Sequence, residues 1–128
     1  MKFKLLLVDD EKTMVKYLSK QLLKKGFDID IAYSGKEALE HIGAKDFDVV
    51  LLDVLMPEMD GIETLRRIKI LAPTTEVIML TGHASVEAGI EGMKAGAFNY
   101  IMKPFDPGEL VKEIHMACEH RQLKHKGD

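Results

Sequence analysis

The stretch VVLLDVLMPEMDG, at residues 49–61, decides how this chain is interpreted. Four apolar residues lead into Asp53, and a Met-Pro pair follows three residues later. An uninterrupted apolar run is typical of a parallel strand that is buried on both faces. An isolated carboxylate in such a place is costly to desolvate. The charge that ends this strand therefore needs a functional reason.

Similar apolar runs recur along the chain and predict five strands, at residues 5–8, 29–32, 49–52, 77–80 and 97–101. Between them, apolar residues recur at helical spacing, as in Met14, Leu18 and Leu22. Helix boundary signals accompany these segments, namely Lys25-Gly26, Ser34, Pro73 and Asp106. Strands that alternate with five helices predict an α/β fold, with a doubly wound parallel sheet covered on both faces.

Composition restricts the class of protein. The chain has 128 residues, which suits one domain over residues 1–121 and a tail or the start of a linker over 122–128. A formal charge of −3 does not favour direct binding of nucleic acid or membrane. No apolar run is long enough for a signal peptide or a membrane span. The single cysteine, Cys118, fits a reducing compartment, so we expect a cytoplasmic protein.

Polar side chains follow the predicted strands at their carboxyl ends, where ligands bind in sheets of this kind. Asp9 and Asp10 follow the first strand, and Asp53 ends the third. Thr81 ends the fourth strand and Lys103 follows the fifth. We therefore expect three carboxylates, a hydroxyl and an ammonium group at one edge of the sheet.

Three carboxylates at one place repel each other unless one is protonated or a cation joins them. Oxygen ligands favour a hard ion such as Mg²⁺, which leaves a position for a phosphoryl oxygen. Lys103 and Thr81 could then contact the remaining phosphoryl oxygens. Asp53 is the candidate nucleophile, forming an aspartyl-phosphate. In a purely structural alternative, Asp9 and Asp10 cap the first helix, a role that can coexist with metal binding.

Four segments together resemble a response-regulator receiver domain: VDDE at 8–11, LLDVLMPEMDG at 51–61, TGHAS at 81–85 and YIMKPF at 100–105. The resemblance covers nearly the whole chain. It implies the flavodoxin-like strand order 2-1-3-4-5, which periodicity alone cannot supply.

The resemblance also implies roles for individual residues. Asp53 would receive a phosphoryl group from a phosphohistidine on a sensor histidine kinase or phosphotransfer protein. Asp10, Asp53 and the main-chain carbonyl of Leu55 would bind Mg²⁺ directly, and Asp9 mostly through water. Thr81 and Lys103 would contact the phosphoryl group, and the Lys103–Pro104 bond would be cis.

The switch implied by the resemblance couples Thr81 to Tyr100, which would turn inward after phosphorylation. The surface of helix four, strand five and helix five would then control an output, through an output domain, an effector or a homodimer. Gly89 and Gly92 lower the intrinsic stability of helix four, which makes it the candidate element that the switch reshapes.

Other functions remain open from the residues. A Mg²⁺-dependent phosphatase of the aspartyl-phosphate type would typically carry a second aspartate at the position of Leu55. A degenerate, binding-only receiver would lack some of the acidic, hydroxyl or lysine positions. A nucleotide or flavin site would need a glycine-rich loop where VDDEKT stands. We expect a switch and not an enzyme, one that catalyses only its own phosphotransfer and slow self-dephosphorylation.

Overall fold

The computed structural model describes residues 2–54, 60–82 and 86–126. For residues 125 and 126 it describes the main chain only. Ten elements alternate along the chain. They are β1 (Lys4–Val8), α1 (Lys12–Lys24), β2 (Asp28–Ala32), α2 (Gly35–Ala44), β3 (Val49–Asp53), α3 (Gly61–Leu71), β4 (Glu76–Thr81), α4 (Val86–Lys94), β5 (Asn99–Met102) and α5 (Pro107–Lys126).

The strands form one parallel sheet in the order β2-β1-β3-β4-β5, so the predicted fold and strand order are confirmed. The order reverses between β1 and β3, whose carboxyl ends lie side by side with Val8 opposite Leu52. A crevice at such a reversal is the expected ligand site of a doubly wound sheet.

Alternate residues of the strands enter two separate apolar cores. Leu6, Val50 and Met79 face one core, which α2, α3 and α4 cover. Their neighbours Leu7 and Leu51 face the other, which α1 and α5 cover. Both faces of β3 are therefore fully buried, which explains why its sequence is a continuous apolar run.

The predicted helix boundaries are confirmed at most positions. Ser34 accepts a hydrogen bond from the amide of Glu37 at 3.1 Å and so caps α2. Gly26, directly after α1, has a φ of 93°, a conformation that side chains disfavour. The fifth strand begins at Asn99 and not at Ala97, because a left-handed turn at Gly96 and a bond from Ala97 N to Gly92 O still belong to the end of α4.

Helix α5 continues to Lys126, although its apolar periodicity ends near His120. Charged contacts hold its last turns against the amino-terminal edge of the sheet. The Arg121 guanidinium lies 2.6 Å from Asp46 and 2.8 Å from Asp48. The buried carboxylate of Glu76, at the start of β4, contacts Lys124 at 3.2 Å and also His120. We name this group of ion pairs the amino-edge network.

Candidate functional site

Three aspartates meet at the carboxyl edge of the sheet, as predicted. One carboxylate oxygen from each of Asp9, Asp10 and Asp53 lies within 4.8 Å of the other two. Asp53 ends β3, and Asp9 directly follows the neighbouring β1, so the strand pairing itself brings the two together. Asp9 is fully buried, Asp53 is 6% exposed and Asp10 is exposed to solvent.

Lys103 reaches this cluster from the end of β5, which is an edge strand of the sheet. Its Nζ lies 3.1 Å from Asp9 Oδ2 and 3.8 Å from Asp53 Oδ2. The residue follows β5, and its main-chain amide donates to the carbonyl of Thr81 at 2.7 Å. The Lys103–Pro104 bond is cis, as expected.

Asp9 also has a local role in the turn before α1. Its Oδ1 accepts a hydrogen bond from the amide of Glu11 at 3.0 Å. Glu11 is the N-cap residue of α1 and makes no side-chain capping bond. The N-cap residue of α1 is therefore neither Asp9 nor Asp10, and that part of the expectation is wrong. Asp9 still orders the turn before the helix while its Oδ2 faces Lys103.

The group formed by the three aspartates and Lys103 carries more negative than positive charge. Three carboxylates and the Lys103 ammonium leave a net charge of −2 when all are ionised. Burial of two carboxylates makes this excess unfavourable, and a divalent cation would balance it. All three aspartates offer hard oxygen ligands, which is the donor set that Mg²⁺ prefers. The residues therefore fit the predicted ion.

Thr81 and Tyr100 lie on the neighbouring strands β4 and β5. Thr81, the last residue of β4, is 1% exposed and pairs with Met102 in the sheet. Tyr100 is partly buried against the core beneath α4. A Cβ atom on Gly89 of α4 would lie 3.1 Å from the Tyr100 ring, so the ring packs directly on this glycine. Leu55, the remaining predicted site residue, lies outside the described residues.

Gly61 is a neighbour of the site that was not among the residues predicted from the sequence. It is the first residue of α3, and an added Cβ would lie 2.5 Å from the main-chain Cα of Val54, the residue after Asp53. The glycine within the quoted stretch was the available signal. Its contact partner depends on how α3 packs, which the sequence does not reveal.

A family model described as the response regulator receiver domain matches residues 5–115. The matched range contains every residue of the site described above.

Curated relatives agree with that match. The transcriptional regulatory protein ZraR of Salmonella typhimurium is 41% identical over 119 residues, which are 93% of this chain and 27% of the relative. The regulatory protein AtoC of Escherichia coli is 38% identical over 121 residues, 94% of this chain and 26% of the relative. The chain thus spans about a quarter of the length of these relatives.

Solved structures resemble this chain over nearly its whole length. A response regulator receiver domain protein from Methanospirillum hungatei has a TM-score of 0.92 and 31% identity, and the match covers 97% of this chain and 99% of that one. NtrX from Brucella abortus has a TM-score of 0.92 and 29% identity, over 98% of this chain and 29% of that one.

Among the described residues, no helix combines the length and apolar character that a membrane span needs.

Proposed function

Because this chain belongs to the response regulator receiver domain family, we propose that it is a switch controlled by phosphorylation of Asp53. The observation that carries this proposal is the meeting of Asp9, Asp10 and Asp53 around one point, with Lys103 in contact with two of them. Asp53 belongs to this group and ends β3, a strand whose five residues are all buried.

The proposed reaction transfers a phosphoryl group from a phosphohistidine of a sensor histidine kinase or phosphotransfer protein. A carboxylate oxygen of Asp53 forms a bond to phosphorus, and the bond between phosphorus and the histidine nitrogen breaks. The departing imidazole takes up a proton from solvent, and Asp53 becomes an acyl phosphate. The rigid strand beneath Asp53 holds the nucleophile in position for this attack.

Asp9, Asp10 and Asp53 would hold Mg²⁺, with the carbonyl of Leu55 as a further expected ligand. Bound there, the ion would supply positive charge that the phosphoryl oxygens need. Lys103 contributes a second positive charge. We propose that its ammonium group contacts a phosphoryl oxygen in the phosphorylated state, in place of its contact with the Asp53 carboxylate. The Thr81 hydroxyl would donate to another of these oxygens.

The proposed response couples Thr81 to Tyr100 and α4. Phosphorylation adds nearly two negative charges next to Thr81 and Lys103. Thr81 would turn toward the phosphoryl group, and the Tyr100 ring would move further inward along Gly89 of α4. Packing of this ring on Gly89 supports the coupling, because movement of the ring changes the surface on which α4 rests.

We propose that the altered surface of α4, β5 and α5 controls an output such as transcription, through an output domain, an effector or a homodimer. The similarity to ZraR, a transcriptional regulatory protein, supports this assignment. The domain would not itself bind nucleic acid or membrane. It would act in the cytoplasm and catalyse only its own phosphorylation and slow dephosphorylation, with residues 1–121 as the receiver and 122–128 as a tail or linker start.

The deciding experiment incubates the protein with a small phosphodonor and Mg²⁺, followed by intact mass spectrometry. We expect the mass of one phosphoryl group on the wild type and none on Asp53→Asn. Asp30→Asn, a change of the same kind on β2, is the matched control and must be phosphorylated like the wild type. Phosphorylation of Asp53→Asn at the wild-type rate would contradict the proposal.

A further inference from the structure

The start of α3 packs on the main chain that follows the phosphoacceptor strand. Gly61 is the first residue of α3 and is buried, while Asp60 caps the helix by accepting from the amide of Ile62 at 3.0 Å. A Cβ atom added to Gly61 would lie 2.5 Å from Val54 Cα, 2.7 Å from its carbonyl oxygen and 2.9 Å from its carbonyl carbon. All three are main-chain atoms, which cannot rotate aside as a flexible side chain can.

Val54 connects this contact to the site. It directly follows Asp53, and its amide donates to the carbonyl of Leu80 at 3.3 Å, one residue before Thr81. Its side chain is buried in the core beneath α3. The Val54 main chain therefore links the start of α3 to Asp53 and to β4, and a displacement of Val54 would act on Asp53 directly.

The displacement that a side chain at Gly61 would require is large on the scale of a metal site. Ordinary contacts of a Cβ begin at 3.4 Å, so Val54 Cα and the start of α3 would have to separate by about 0.9 Å. Mg²⁺ demands nearly ideal octahedral geometry and tolerates such shifts of its ligands poorly. Apolar cores accommodate comparable shifts with a modest loss of stability.

We propose that Gly61 is a positioning residue for metal-dependent phosphoryl transfer, acting through the Val54 main chain on the placement of Asp53. The inference rests on the proposed function for the reaction, but its first measurement is metal binding. A methyl group at Gly61 changes the position of Asp53 relative to Asp9 and Asp10, so the site loses affinity for Mg²⁺ while the fold persists.

The test compares the Mg²⁺ dissociation constant of Gly61→Ala with that of the wild type by calorimetric titration of the full chain. We expect an increase of about tenfold, the size typical of changes behind a metal ligand. Phosphorylation by a small phosphodonor should need correspondingly more Mg²⁺ and recover at saturating metal. Gly43→Ala, whose added Cβ meets nothing within 4 Å, is the matched control and should bind Mg²⁺ like the wild type.

A second control separates positioning from general destabilisation. Ile114→Ala opens a cavity in the core beneath α5, away from α3, and lowers the melting temperature. Its Mg²⁺ dissociation constant should stay within about twofold of the wild type, since no ligand is displaced. If Gly61→Ala loses stability but keeps the wild-type dissociation constant, the inference is wrong.

Should Gly61→Ala fail to fold, amide hydrogen exchange on the wild type tests the same coupling, because coupling between two sites is reciprocal. Saturating Mg²⁺ should slow exchange at the amides of Val54 and Thr64, the latter bonded to Asp60 O in the first turn of α3. Ala38, in the first turn of α2, is the comparison amide. Unchanged exchange at Val54 and Thr64 overturns the inference.

The outcomes for this inference and for the proposed function are distinct. If the wild type binds Mg²⁺ but is never phosphorylated, the proposed function fails, while the titration still decides the role of Gly61. A wild type that binds no Mg²⁺ at millimolar concentration overturns the role of Gly61 as well.

Discussion

Lys103 is held between two buried carboxylates, and this placement gives its removal two effects of opposite sign. Its Nζ contacts Asp9 and Asp53, whose side chains are 1% and 8% exposed. In Lys103→Met the site keeps three carboxylates without the cation, so its charge becomes more negative. We expect tighter Mg²⁺ binding together with slower phosphorylation, by about tenfold or more, because a charge-assisted contact to the phosphoryl group is lost.

Metal titration and phosphorylation rates by mass spectrometry measure the two effects of Lys103→Met separately. Lys20→Met, at an exposed position on α1, should change neither quantity. A Lys103→Met protein with weaker Mg²⁺ binding would show that the lysine orders the carboxylates more than it competes with the metal.

Cys118 illustrates how burial suppresses the reactivity of a single residue. Burial raises the pKa of its thiol to about 12, and the nearby Asp48 carboxylate raises it as well. Because the thiolate is the reactive form, we expect the native protein to resist alkylation at about pH 8 and the unfolded protein to react readily. Labelling with iodoacetamide, with and without denaturant, measures this difference. Rapid labelling of the native protein would mean that α5 opens locally.

Helix α4 gives its two glycines a second explanation at the scale of the element. By helix propensity alone, Gly89 and Gly92 are sources of low helix stability. In the structure they also allow close packing, since a Cβ on Gly92 would overlap Met79 Cε at 1.9 Å and one on Gly89 would press on Tyr100. The hypothesis that α4 is the reshaped element stays a prediction, now with a defined contact surface.

This packing predicts opposite effects for two glycine-to-alanine changes. Gly43→Ala in α2 has open space around the new methyl group and should raise the free energy of unfolding by about 0.5–1 kcal/mol, the helix propensity of alanine. Gly92→Ala gains the same propensity but must displace the buried Met79, which costs about 1–3 kcal/mol. We therefore expect a net loss in chemical denaturation. An increase in both variants would mean that Met79 repacks without cost.

At the scale of the whole molecule, the charge excess of the site predicts that metal binding stabilises the fold. At ten times its dissociation constant, Mg²⁺ should add about 1.4 kcal/mol and raise the melting temperature by about 5 °C. Scanning calorimetry at constant ionic strength measures the shift. In the double variant Asp10→Asn with Asp53→Asn we expect almost none, and an undiminished shift would locate the bound ion elsewhere.

Much of the fold was predictable because buried parallel strands leave a strong signal. The apolar run before Asp53 predicted a strand buried on both faces. The common direction of the strands predicted that Asp53 and the acids after β1 would lie at the same edge of the sheet. The strand order needed the family resemblance. The contacts of Gly61 with Val54 and of Arg121 with Asp46 could not be predicted, since neither glycine packing nor long-range ion pairing leaves a periodic pattern.

The amino-edge network has a consequence for how motion can cross the molecule. Glu76 begins the same six-residue strand that Thr81 ends, and neighbours bond that strand on both sides. Roughly 17 Å of extended chain thus joins an ionic anchor to the hydroxyl at the opposite rim. A strand fastened in this way resists sliding along its own axis. Rearrangement at the carboxyl edge of the sheet therefore occurs by rotation of side chains and movement of the helices that cover them, and not by movement of β4 along its axis.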